Sequence, residues 1–180
     1  MLKKSSANSS SEVSRNAFCA HFTIACAPCL RYVAPSQMTI VEKQQHLLEE
    51  LSFFQDWQDR YEYVIALGRK LAPLPDSARN TDHLIKGCQS QVWLDAAYRE
   101  GKVEYFADSD SLITKGMIAL FIEVLNQQSP DNILTADLSF IEKTGLKEHL
   151  APTRANALSL MATQMKQRAL HFSTQDSPHS

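Results

Sequence analysis

The chain has 180 residues, 44% of them hydrophobic and 21% charged. Those proportions exclude a wholly disordered or collagen-like chain, and the length suits one domain that buries its own core. With 18 basic against 20 acidic residues, the net charge of −2 and the pI near 6.3 give no support for a nucleic-acid binder, and no apolar run is long enough for a membrane-spanning helix.

Residues 1–37 differ from the rest. They hold seven serines, four basic residues and one acidic residue, whereas 38–180 carry 14 basic and 19 acidic residues. Three of the four cysteines, Cys19, Cys26 and Cys29, lie in this segment. It reads in four ways. A Ser-rich, basic, acid-poor leader ending an apolar stretch at Ala25-Cys26-Ala27 resembles a targeting peptide. Cys19, His21, Cys26 and Cys29 are a possible zinc ligand set, though one short Cys-x-x-Cys is a weak signal. Cys26-Ala27-Pro28-Cys29 has redox-pair spacing without the strand and helix such a site needs. The reading adopted is a disordered extension ahead of a start at Met38, with the folded domain at 38–172 and a frayed tail at 173–180.

From Met38 onward the pattern is regular. Ile40, Leu47, Leu48, Leu51 and Phe54 predict an amphipathic helix over 39–54. Trp57, Tyr61, Val64, Ile65, Gly68 and Leu71 predict a second over 56–71, capped by Asp56 and stopped by Pro73 and Pro75. A polar loop follows at 73–82. Gln89–Tyr98 and Val103–Ala107 read as two strands joined by a Gly-containing turn at 99–102. A hairpin alone is marginal, so a third strand or helical cover is expected.

Asp108-Ser109-Asp110-Ser111 reads as a set of N-caps for a helix over 111–128 that is apolar nearly all round, hence central. Gly116 inside it implies close approach to another backbone. Ser129-Pro130 opens a short helix over 130–135. Another over 138–144 ends at Gly145. Pro152-Thr153 opens the last helix, which carries Leu158, Met161, Met165 and Ala169 on one face and frays from 172. The order of helices, hairpin and helices predicts an α+β domain.

Cys88 is the remaining candidate for chemistry. It follows Gly87, which permits a loop tip, and has polar neighbours in Lys86, Gln89, Ser90 and Gln91. A lone cysteine is often a small buried hydrophobe. Lys86, however, is placed to favour the reactive thiolate. His83 and His149 form no signature with Cys88 and read as surface residues, which argues against a cysteine hydrolase. The body holds no resolving cysteine and too few thiols for a cysteine-ligated cluster. What remains is exchange between molecules, with one thiolate taking sulfur from a partner's persulfide.

The run Gly87-Cys88-Gln89-Ser90-Gln91-Val92-Trp93 resembles the signature of the SufE family of cysteine desulfurase activators. Asp108-Ser109-Asp110 with Lys115-Gly116, and Pro152-Thr153-Arg154, resemble two further family blocks. Trp57, Tyr61, Ile65, Gly68 and Leu71 match its early helix. The likeness spans about 39–170. Gln89-Ser90-Gln91 favours SufE proper over the CsdE branch, and Ala157 stands where relatives often have Gly.

The resemblance implies helices packed around a small antiparallel β-sheet, as in SufE and IscU. It implies that Cys88 accepts persulfide sulfur from a SufS-type cysteine desulfurase and passes it to the SufBCD scaffold for iron–sulfur cluster assembly. Pyridoxal phosphate would belong to that partner, and this chain would hold no cofactor or metal of its own. Arg154, Lys86 and Gln89 are candidate supporting residues, Arg154 for anionic sulfur. Asp108 and Asp110 are expected as caps and Lys115 as a solvated helix residue. The activity is that of a sulfur carrier, with non-catalytic docking on the desulfurase as the alternative. Bacterial cytoplasm is the expected location, or a plastid if 1–37 is a transit peptide.

Overall fold

The computed structural model describes residues 38–175. The cysteine, metal-site and targeting readings of 1–37 lie outside them. Thr39 opens helix α1 (Ile40–Ser52) with a reciprocal capping box, its hydroxyl accepting from the Glu42 N–H and its own N–H donating to the Glu42 carboxylate. Asp56 caps α2 (Trp57–Lys70) as expected, accepting from the Asp59 N–H at 3.0 Å.

The hairpin pairs β1 (Val92–Arg99) with β2 (Lys102–Ser109) in antiparallel register, from Val92 opposite Ser109 to Arg99 opposite Lys102. Its turn is the two residues Glu100 and Gly101, at φ 51° and 76°. Two successive positive φ values match the twist of the strands, which shortens the anticipated four-residue turn. β1 begins at Val92 rather than Gln89, because 89–91 belong to a loop.

No third full strand flanks the pair among the described residues. Single bridges extend both edges instead. On the β1 side Leu84 bridges Trp93, with the Ile85 N–H donating to Val92 O and the Leu94 N–H to His83 O, both at 2.8 Å. On the β2 side Gln128 bridges Val103. Short flanking segments of this kind satisfy edge groups that would otherwise invite pairing with another chain.

α3 (Leu112–Leu125) is the central helix, buried on all sides for most of its length. It stops at Leu125, short of the expected 128, because the chain turns out to join β2. The Asn126 side chain accepts from the Tyr105 N–H at 2.9 Å, and the Val103 N–H donates to Gln128 O at 2.9 Å. α3 packs on β2, α1 and α2.

α4 (Pro130–Thr135) starts with Ser129 as N-cap and Pro130 in its first turn. The short helix expected over 138–144 is α5 (Phe140–Lys143), which ends ahead of Gly145 at φ 71° as anticipated, and a further short helix that the spacing did not suggest, α6 (Leu146–His149), follows it. α7 (Pro152–Gln175) runs past the fray expected at 172 and lies against α4 and β1. The core draws on every layer: Leu47, Val64, Leu94, Val103, Phe121, Ile133, Phe140, Met161 and Met165 are all buried. Each such side chain contributes about 2 kcal/mol by leaving water. The protein is therefore the expected α+β domain, helices packed around a small antiparallel sheet.

Candidate functional site

Cys88 sits in the loop 86–91, between the bridging arm 83–85 and β1. The two bonds that close the arm on β1 make this loop the tip of a second, short hairpin. Gly87 takes φ 90°, and a Cβ there would lie 3.1 Å from Leu160 Cδ1 of α7. Both facts favour glycine just before the thiol. Cys88 itself is half-buried and packs against the edge of the core.

The loop is tethered at several points. The Gln91 N–H donates to Asp110 Oδ1 at 3.0 Å, and Gln91 O accepts the Ser109 hydroxyl at 2.7 Å. The Thr114 hydroxyl meets Ser90 Oγ at 3.4 Å. Gln89 Oε1 accepts the Thr153 hydroxyl at 3.2 Å, which brings the first turn of α7 to the residue after Cys88.

Burial pushes the Cys88 thiol above its ordinary pKa, and burial is the sole cause. The thiolate is disfavoured where apolar contacts replace water. The anticipated lowering by Lys86 does not occur: Lys86 is exposed, as are Gln89 and Arg154. A resting thiol of this kind is protonated and slow to react.

Asp108 and Asp110 are not helix caps. Ser111 caps α3, accepting from the Thr114 N–H, while Asp110 holds Gln91. Asp108 is 7% exposed and accepts Lys115 Nζ at 2.8 Å and the Arg79 guanidinium. Burial raises its carboxyl, but Lys115, the Ser109 N–H and Arg79 outweigh that and leave it below the usual carboxylate range. Lys115 is thus a half-buried ion-pair partner instead of a solvated helix residue.

The histidines are committed elsewhere. His83 is half-buried, its ring 2.9 Å from Asn80 Oδ1 and 3.3 Å from Asp95 Oδ1. His149 is exposed and stacks on Trp57 with ring centroids 3.6 Å apart. Neither is offered to Cys88 as a base. Among the described residues no group of three or more His, Cys, Asp or Glu is placed to hold a metal ion, and no helix is long and apolar enough to cross a membrane.

Fold and site together define a small α+β domain that presents one half-buried thiol on a tethered loop. The chain belongs to the SufE family: residues 45–169 match the family model described as SufE, Fe-S metabolism associated domain. It is also similar to the solution structure of a hypothetical protein from Thermus thermophilus, with a TM-score of 0.63 and 21% identity, covering 73% of this chain and 96% of that one. At that identity the likeness speaks to the fold alone.

Proposed function

We propose that the protein is the sulfur acceptor and activator of a SufS-type cysteine desulfurase, with Cys88 as its working thiol, and that it delivers sulfur to a SufBCD-type scaffold. The observation that carries this reading is Cys88 itself, a thiol set at a hairpin tip directly after a left-handed glycine, in a chain of a family associated with Fe-S metabolism.

The step is a sulfur exchange. The Cys88 thiolate attacks the outer sulfur of a persulfide on the desulfurase, a new S–S bond forms on Cys88, and the donor's S–S bond breaks to release its cysteine as thiolate. No net oxidation or reduction occurs. The proton that leaves Cys88 is available to the released thiolate. The raised thiol pKa then has a use. Idle Cys88 stays protonated and half-covered, which protects it from oxidants, and it becomes nucleophilic when docking lifts the loop from Leu160 and the core. Arg154, exposed on α7 one residue from the Thr153 tether, is the cation we assign to meet an anionic sulfur once the loop moves. Gln89 acts as the loop's release point and Lys86 as a solvated flank.

The test is to incubate the protein with an active SufS-type desulfurase and cysteine and follow the intact mass. A gain of one sulfur atom on Cys88, absent in Cys88→Ser, is expected. No gain with a competent desulfurase contradicts the proposal.

A further inference from the structure

The residues that hold the Cys88 loop at its base form one row across three segments. Leu84 bridges Trp93, and Trp93 lies opposite Asp108 in the β1–β2 register. Asp108, at the far end of that row, reaches back to Arg79, which precedes the arm in sequence. The arm that carries Cys88 upstream is therefore tied to the sheet by backbone bonds to β1, by the His83 ring against Asp95, and by the Arg79–Asp108 ion pair that anchors its start. The next two residues, Ser109 at the end of β2 and Asp110 beyond it, hold Gln91 at the downstream end of the same loop.

The two cations on Asp108 differ. The Lys115 side chain is 25% exposed and the Arg79 side chain 47%, around a carboxylate side chain exposed by 10%. Loss of both would strand a buried charge, which is costly. Loss of Arg79 alone leaves Lys115 to neutralise Asp108. The fold then persists while the arm loses the tie at its start. Arg79, the more exposed of the two, is therefore the contact whose loss disturbs the buried carboxylate least.

We propose that Arg79 is a positioning residue for Cys88: its ion pair with Asp108 latches the arm against the sheet and so sets how far the thiol is withdrawn from solvent. The link to sulfur transfer rests on the function proposed above. The latch itself is read without any desulfurase, so the two claims fail separately.

The experiment compares the rate at which iodoacetamide alkylates Cys88 in the full chain, at fixed pH, for the wild type, Arg79→Gln, Arg79→Lys and Ile133→Val. The last variant is a core change on α4 that lowers stability modestly without touching the arm. Arg79→Gln should react about two- to five-fold faster, the span that one partly exposed ion pair supports. Arg79→Lys should return the rate toward wild type, and Ile133→Val should leave it unchanged. An Arg79→Gln rate equal to wild type overturns the latch. So does an equal acceleration in Ile133→Val, which would mark general loosening.

Discussion

α2 and α3 cross at Gly68 and Gly116 with their backbones in contact. A Cβ on Gly68 would lie 2.7 Å from Gly116 N, and one on Gly116 would run into the Val64 carbonyl oxygen. The nearest obstacles are backbone atoms at both points, so the helices themselves would have to part. Gly116→Ala should cost about 2 to 3 kcal/mol despite its gain in helix propensity. Thermal unfolding should show a melting temperature lower by roughly 10 °C. An unchanged or raised melting temperature would mean that the crossing is looser than described.

Cys88 supplies a pH prediction. Its pKa is raised by burial, so the rate of alkylation should climb with pH along a curve displaced above that of a free cysteine. Unfolding in denaturant removes the burial and should bring the curve back to the ordinary thiol position. A folded-state curve at or below the free-thiol position would contradict the half-buried placement.

Asp108 behaves in the opposite sense. Its folded carboxyl lies below the usual range, so the stability it contributes is complete above the unfolded carboxylate pKa and is lost as pH falls through the lowered folded value. Asp108→Asn removes the charge that Arg79 and Lys115 share. That variant should be less stable at neutral pH, and its stability should fall less steeply on acidification. Denaturant titrations across the acid range read both effects. Parallel curves for variant and wild type would show that Asp108 is not the group paired in the native state.

These relationships are not equally legible in the sequence. The helices and the hairpin announce themselves through local spacing: Ile40, Leu47 and Leu51 on one face, Asp56 before Trp57, and the Gly-containing turn at 99–102 between apolar runs. Gly116 points to a close crossing because a glycine inside so apolar a helix needs a packing reason. Asp108 misleads because Asp-Ser-Asp-Ser before an apolar run is locally a capping sequence. Its true partners come from the loop before the arm and from the far side of the α3 cap, and no local pattern encodes that pairing. The bridges at Leu84 and Gln128 stay hidden because one bridge leaves no alternating run. The thiol's state is misread for a similar reason. Lys86 is adjacent in sequence, whereas the groups that decide the pKa are the apolar atoms packed on Cys88 from the rest of the fold.

The central claim is that sulfur resides on Cys88 during turnover. The most direct measurement is sulfide release by a SufS-type desulfurase supplied with cysteine and reductant, with wild-type protein or Cys88→Ser added, alongside the intact mass of each from a parallel reaction without reductant. The account predicts one added sulfur on the wild type, none on Cys88→Ser, and stimulation lost in the variant. Full stimulation by Cys88→Ser would contradict it and leave a domain that activates by docking alone.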